Sequence, residues 1–431
     1  MGTATSVRIP DAIDLSPDQY TAKEVAIKWI SAHQDRGGEG IQPILRIFGY
    51  AGTGKTTIIR SLLEDFPKLR TRFGAYTGKA AMVMQKQGLP AKTIHSLIYK
   101  PIPPSKRKCD ELMNKIKKEE NKPRKQRLYA ELNEAQKVSF QLRTPDDSPL
   151  RNCGLLVLDE CSMINEQMLD DLFSFKVPII ALGDPGQLPP IDGFGAIINE
   201  KPDVLLTQIH RQAKDNPIID FATRARSRIA IPRVARGSAR KVLKENFTKE
   251  TAFAADQILV GKNTTRRMLN SYIRSEYGYT EQYPMPGEKL ICLANDRIPA
   301  PDFEEDIPIY NGMMGTVVEV GELLDTAIEL SIKFEPVDSV YERPIEVKAL
   351  RANFDAYSDP EAIKNVRWWD KKDNQQFDFG YAITVHKSQG SQWDSVVLYD
   401  DKFLVWNWAE RAKWLYTGIT RAVENLTIVE T

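Results

Sequence analysis

Residues 49–57 read GYAGTGKTT, which sets Gly49, Gly54, Lys55 and Thr56 at the spacing G-x-x-x-x-G-K-[ST]. An apolar run, residues 44–48, precedes them, and Ile59, Leu62 and Leu63 follow at helical spacing. Strand, glycine loop and helix in that order make a phosphate cradle. Backbone N–H groups of Gly52, Thr53, Gly54 and Thr57 and the helix start favour anionic oxygens. Lys55 supplies positive charge, and the Thr56 hydroxyl suits Mg²⁺. That chemistry is the binding of a nucleoside triphosphate. A second cluster, LLVLDECSM, ends an apolar run on Asp159 and Glu160. Beside a phosphate cradle, Asp159 falls near the Mg²⁺ shell and Glu160 where it orients or deprotonates an attacking water. A bare Asp-Glu pair is ordinary surface; the buried strand before it and the P-loop upstream give this pair its meaning. The third cluster, LGDPGQLPP, is a Pro/Gly-rich turn expected to hold Gln187 near the γ-phosphate.

These clusters need a common scaffold. ILRIF ends at the P-loop, GLLVL at Asp159 and VPIIALG at Asp184. In open parallel sheets ligands bind beyond the carboxyl ends of strands, so the clusters are expected to converge on one nucleotide. Strand character stops between residues 100 and 135, where residues 106–127 carry ten Lys/Arg against four Asp/Glu. Pro123 is expected to divide this segment into two helices, with apolar stripes at Leu112/Ile116 and Leu128/Leu132. Strand-like runs return with ILVGKN from Ile258, and GTVVEV and AIELSIKF look like strands of a small barrel. DSVVLYDD and NLTIVET read as further buried strands, and no internal repeat is visible. The expected fold class is α/β, two parallel-sheet nucleotide units with smaller insertions.

Composition excludes several classes. A chain of 431 residues holds two or three domains with real cores. With 27% charged residues and a net charge of +1, a nucleic-acid partner would need local basic surfaces rather than bulk charge. Cys109, Cys153, Cys161 and Cys292 lie far apart with no C-x-x-C, which lacks the spacing for zinc, an iron–sulfur cluster or a disulfide framework. No apolar stretch approaches ~18 residues, and MGTATSVRIPDAI lacks the pattern of a targeting peptide. The expectation is a soluble, cytoplasmic protein in a reducing setting, with no membrane partner.

Eight segments in order resemble the motifs of superfamily-one DNA helicases: GYAGTGKTT, TIHSL, LLVLDECSM, LGDPGQLPP, LTQIHRQ, ILVGKNTTRRMLN, YAITVHKSQGSQWDSV and LYTGITRA. The set is most similar to the 5′→3′ branch containing the phage Dda helicase, RecD and the Pif helicases, and runs from about Leu15 to the C-terminus. The resemblance implies two RecA-like motor domains, one from residues 1–96 and 151–208, the other from 209–296 and 379–431. Inserted subdomains would occupy residues 97–150 and 297–378. It implies ATP and Mg²⁺ as cofactors, with hydrolysis coupled to 5′→3′ movement by a monomer. Single-stranded and forked duplex DNA are the implied partners, alongside replication or recombination proteins. LSPDQYTA looks like a Q motif, which makes Gln19 the adenine reader. Arg211 in LTQIHRQ and Arg421 in LYTGITRA match two arginine fingers, each of a kind worth ~10³–10⁵ in rate. Gly390 falls on the nucleotide side of its motif.

The implied grip is on single strands, through backbone contacts and stacking. AYTGKAA and AKTIHSL offer Thr77, Lys79, Thr93 and His95 from the first unit, and GKNTTRR and TVHKSQG offer Asn263, Thr384 and His386 from the second. The arginine run at residues 224–240 reads either as a second basic surface or as solvated helix faces. Gln392 stands where other branches of the superfamily carry Glu to touch the ribose. In Dda-like enzymes a β-hairpin before the Asp-Glu motif splits the strands; here SLIYKP and SFQLRT are the candidates. The charged residues 103–137 between them depart from a short pin, and read either as a contact at the fork or as a solvated arm. YNGMMGTVVEV onward resembles the SH3-like subdomain of that family. A GTPase is excluded by the lack of N-K-x-D, whereas a translocase that displaces bound proteins without efficient unwinding would carry the same motifs.

Overall fold

The structure, a computed structural model, describes residues 15–135, 139–189, 195–208, 216–299, 306–335, 343–401 and 407–431. Its first sheet has six parallel strands, in spatial order Ala91–Thr93, Thr71–Ala75, Leu155–Asp159, Ile179–Gly183, Ile44–Gly49 and Val204–Leu206. Their near-continuous apolar sequences follow from burial on both faces. Leu155 and Val157 join Ile58, Leu62, Ala22 and Ala26 on one side of the sheet. Leu156 and Leu158 point the other way, onto Ile94, Leu97, Met168 and Leu172. This alternation is the period-two pleat of a strand sandwiched between helices.

The second sheet runs Ala382–Thr384, Gln257–Val260, Trp393–Asp400, Ala422–Glu430, Ala239–Leu243 and Ala235–Arg236. All its pairings are parallel except the last, an antiparallel edge. The α/β fold with a parallel-sheet core therefore holds in both halves. A third sheet, wholly antiparallel, orders Ile345–Leu350, Ala327–Phe334, Met314–Leu323, Lys289–Cys292 and Phe377–Phe379. It begins at Lys289, ahead of the boundary expected at residue 297. The apolar Leu290 and Cys292 are packed into its core with Val317, Leu330 and Phe377, which fixes that strand here rather than in the second parallel sheet.

Tyr99–Ile102 pairs antiparallel with Ser139–Leu142, so the hairpin candidates do meet. Helices Lys106–Lys118 and Lys122–Ala135 fill the gap between these strands. Pro123 sits in the first turn of the second helix, where its missing N–H costs nothing. Cys109, Leu112, Ile116 and Leu132 bury a small core of their own, with Leu128 against it. Among the described residues no helix is long and apolar enough to cross a membrane.

Candidate nucleotide site and the seams between its two halves

The strand Ile44–Gly49 delivers the chain to a loop that two left-handed glycines bend, Gly52 at φ 80° and Gly54 at φ 75°. Helix Lys55–Asp65 starts immediately after. Gly54 has a second reason to lack a side chain, because a Cβ there would overlap the Gln19 amide. Thr53 is buried and its hydroxyl donates to the Tyr50 carbonyl at 2.8 Å. The Lys55 ammonium donates to the Gly49 carbonyl at 2.7 Å. Gln19 is more occupied than an adenine reader needs to be. Its Oε1 accepts from the Ser16 N–H at 2.9 Å in a capping box that starts helix Pro17–Arg36, and its Nε2 donates to the Thr53 carbonyl at 3.0 Å. The amide braces the P-loop against the first helix.

Asp159 ends its strand, and Glu160 follows in a left-handed conformation, φ 51°. Asp159 Oδ1 accepts the Glu160 N–H at 2.8 Å, which fixes the two carboxyls relative to each other. Burial pushes both above the usual carboxylate range, and Lys55 pulls both back. Glu160 is also raised by Asp159 and lowered by Arg421, which comes from the second sheet. A cleft of about 860 Å³ joins the halves, lined by Lys55, Thr56, Glu160, Gln187, Gln392 and Arg421. Gly390, left-handed at φ 77°, lines it too, and Asp159 and Thr57 line an adjoining hollow of about 410 Å³. The Arg421 guanidinium is locked by donations to the Thr417 carbonyl (3.0 Å), the Ser391 carbonyl (3.1 Å) and the Thr420 hydroxyl (3.1 Å). Gln187 is buried, and its Oε1 has no hydrogen-bond partner among the described residues. Arg211 lies outside the described residues.

These residues fit ATP and Mg²⁺. The glycine loop leaves backbone N–H groups and a helix start for phosphate oxygens. Carboxyls made costly by burial suit a cation beside them. Among the described residues no three His, Cys, Asp or Glu side chains converge on a metal position. A Mg²⁺ here would take Thr56 and Asp159 and complete its shell with phosphate and water oxygens, as that ion usually does.

Two seams join the halves. On the nucleotide side, the Tyr416 hydroxyl donates to Asp184 Oδ2 at 2.8 Å and accepts from the Ala51 N–H of the P-loop at 3.0 Å. Burial, then Asp184, push this phenol up, so it stays protonated at neutral pH. The Thr417 hydroxyl accepts from the Leu188 N–H at 3.0 Å, and Gln389 donates to the Leu188 carbonyl at 3.2 Å. Motif spacing gives Tyr416, Thr417 and Asp184 no such role, although all three lie inside the motifs. The bare Gly186 facing the Tyr416 ring is the trace they leave in sequence. On the other seam, Lys79 donates to the Gly312 carbonyl at 3.1 Å, and Gly78 lies against the Tyr310 ring.

Lys79, expected at the DNA, lies in this second seam. Lys79 is only 4% exposed, its ammonium donating to the Gly312 carbonyl across the seam and lying over the Trp393 ring at 5.7 Å. Thr77, Thr93 and Thr384 are helix N-caps whose hydroxyls accept from Ala80, Ser96 and Lys387 N–H groups. Asn263 is exposed at the start of helix Asn263–Glu276. His95 packs among Tyr76, Tyr99 and Phe140 at ring distances of 5.9, 5.6 and 5.2 Å. Burial lowers the pKa of both His95 and His386, which favours neutral imidazoles suited to stacking rather than to charge. The arginine run is largely spent internally: Arg224 and Arg236 pair with Asp220, and Arg233 with Glu430.

Two mainly parallel sheets face one phosphate cradle across a single cleft. Residues 40–192 match the family model described as an AAA domain, and residues 379–429 match the UvrD-like helicase C-terminal domain. The relatives and structures it resembles over most of its length are a RecD2 helicase and Pif1 helicases, and none of these matches singles out Dda. It is 23% identical to the ATP-dependent RecD2 DNA helicase of Deinococcus radiodurans, over 97% of this chain and 51% of that protein. The chain thus spans about half the length of that relative. The Pif1 helicase of Candida albicans shares the fold at TM-score 0.51 and 17% identity, over 97% of this chain and 95% of that one. A structure described as DNA unwinding at forked duplexes by two coordinating Pif1 helicases matches equally at TM-score 0.51 and 17% identity, covering 97% and 92%.

Proposed function

We propose that the chain is an ATP-dependent DNA helicase that moves 5′→3′ along single-stranded DNA and unwinds forked duplexes. One observation carries the proposal: Lys55 and Glu160 from the first half face Arg421 from the second across a single cleft. A γ-phosphate contacted from both sides would close that cleft, and its hydrolysis would remove the bridge. Lys55 holds phosphate charge, Glu160 orients the attacking water, Gln187 reads the γ-phosphate, and Arg421 with Arg211 stabilises the charge that develops on it. Mg²⁺ held by Thr56 and Asp159 would supply neutralisation of the phosphate oxygens. Gln19 retains a second N–H and a second lone pair for adenine. The ends of the short helices capped by Thr77, Thr93 and Thr384, together with Asn263, His95 and His386, take the strand. The hairpin Tyr99–Ile102/Ser139–Leu142 acts as the pin, and the antiparallel sheet as the SH3-like enclosure.

The test has two stages. ATP hydrolysis should rise on adding single-stranded DNA, vanish in Lys55→Ala, and drop in Glu160→Gln while ATP binding persists. Wild-type turnover by Glu160→Gln would remove its assignment. Forked duplexes with only a 5′ or only a 3′ tail then separate the outcomes. Unwinding from the 3′ tail alone overturns the polarity, and translocation without strand separation turns the reading to a protein-displacing translocase.

A further inference from the structure

The two-helix arm inside the hairpin has a distribution of charge that its own folding does not favour. Its aliphatic residues go into the small internal core of Cys109, Leu112, Ile116 and Leu132, which leaves Tyr129 exposed. What remains at the far end, residues 115–127, is seven Lys/Arg against Glu119 and Glu120, a net of +5 on a chain whose total is +1. Arg124 pairs with Glu119 at 3.2 Å. Lys115, Lys117, Lys118, Lys122 and Arg127 are exposed, and among the described residues none of them, nor Lys125, has an ion-pair partner. Lys115, Lys117 and Lys118 close a helix and so complement its dipole, which is reason enough for them. Lys122, Arg124 and Lys125 are different. They open the next helix, whose first turn has no acidic residue, and there positive charge opposes both the dipole and the three lysines across the turn. Local stability would put Asp or Glu at those positions.

An external polyanion relieves that opposition, and the chemistry of the tip selects which. Residues 114–127 contain no aromatic side chain, and the one exposed ring nearby on the second helix, Tyr129, lies past Arg127, so the tip lacks a row of platforms on which successive unpaired bases could stack. A helix of 13 residues carries the tip about 20 Å from the hairpin strands, at 1.5 Å per residue. That reach corresponds to roughly six base steps of 3.4 Å along a duplex. We infer that the tip, Lys115 to Arg127, is a binding site for the phosphate backbone of double-stranded DNA, holding the unopened duplex ahead of the hairpin. The inference rests on the proposed function and deepens it by assigning the duplex to its own surface, apart from the single-strand path.

The test is a triple variant, Lys118→Gln/Lys122→Gln/Lys125→Gln, in the full chain. Gln is a good helix former, and removing two misplaced cations should leave the thermal midpoint unchanged or higher. Binding is measured for a blunt 20-base-pair duplex and for a single strand, each across a salt series. The expected result is a roughly tenfold or greater loss of duplex affinity at low salt. The slope of log affinity against log salt should flatten by about 2 to 3, near 0.9 for each phosphate that is no longer neutralised. Single-strand affinity and single-strand-stimulated ATP hydrolysis should stay at wild-type levels. Unchanged duplex affinity and slope in the folded variant overturns the site and leaves a solvated arm or one that serves a protein partner. A parallel loss for duplex and single strand overturns it too, because the tip would then be a general polyanion surface. Wild-type protein that binds duplex but shows no DNA-stimulated hydrolysis would sink the motor reading while the site stands.

Discussion

The two seams between the halves are built alike and finished differently. Each lays a tyrosine from the C-terminal half over a glycine of the N-terminal half, Tyr416 over Gly186 and Tyr310 over Gly78. Tyr416 is buried and its hydroxyl is held from two directions, by Asp184 and by the P-loop N–H of Ala51. Tyr310 is half-buried, and beside it the seam is closed by a flexible lysine, Lys79 reaching Gly312 at 3.1 Å. Rings held at both ends transmit small displacements; long ammonium stems absorb them. The comparison assigns the nucleotide-side seam to signalling and the other to sliding.

Glycine replacement breaks the comparison most sharply. In Gly186→Ala the new Cβ would stand 2.8 Å from Tyr416 Cε1, on a ring that cannot swing without losing both hydroxyl bonds. Overpacking of this kind costs about 1–3 kcal/mol, and ATP hydrolysis should fall severely. Gly78→Ala also overlaps a ring, but Tyr310 has solvent on one side to turn into. Its basal hydrolysis should stay within a few-fold of wild type. Equal loss of hydrolysis in both variants would erase the distinction.

Tyr416→Phe is the finer cut. It keeps the ring and strips the hydroxyl, leaving Asp184 Oδ2 and the Ala51 N–H short of a partner at roughly 1–3 kcal/mol for each group left buried and unpaired. The expected signature is a raised KM for ATP with a smaller change in kcat, since the hydroxyl touches the P-loop backbone and not the reacting atoms. A fall in kcat alone would show that the tyrosine acts on Arg421 instead. The smallest effect is expected of Lys79→Met, which retains the buried stem while giving up the bond to the Gly312 carbonyl and the ammonium over the Trp393 ring. Stability should change by about 1 kcal/mol or less, with DNA affinity nearly unaltered. A large loss of DNA affinity would return Lys79 to the strand-binding surface.

The nucleotide half of the site was legible in sequence because its chemistry is local. Glycines at 52 and 54, Lys55, and the Asp159–Glu160 pair each carry their meaning within a few residues of one strand end. The arm was legible for a similar reason, its stripes at Leu112/Ile116 and Leu128/Leu132 being helical repeats. What eluded the sequence depends on partners far along the chain. Lys79 looks like an exposed cation until Gly312, over two hundred residues later, is placed beside it. The strand at Lys289 looks like part of the second parallel sheet until Met314–Leu323 and Phe377–Phe379 flank it. Gln19 looks like a free amide until Ser16 and Thr53 take its two ends.

Helix Trp408–Ile419 carries Tyr416 within it and delivers Arg421 just past its end. From Tyr416 to the helix end at Ile419 is about 4.5 Å along the axis at 1.5 Å per residue, and Arg421 follows two residues on. Tyr416 thus rides a stiff rod to whose end Arg421 is tied by its N–H on the Gly418 carbonyl at 3.2 Å, with Trp414 wholly buried between the rod and its sheet. A tilt of this helix at the P-loop end is expected to carry the Arg421 backbone with it. On the proposed function, that leverage would couple contact at the P-loop to the position of Arg421.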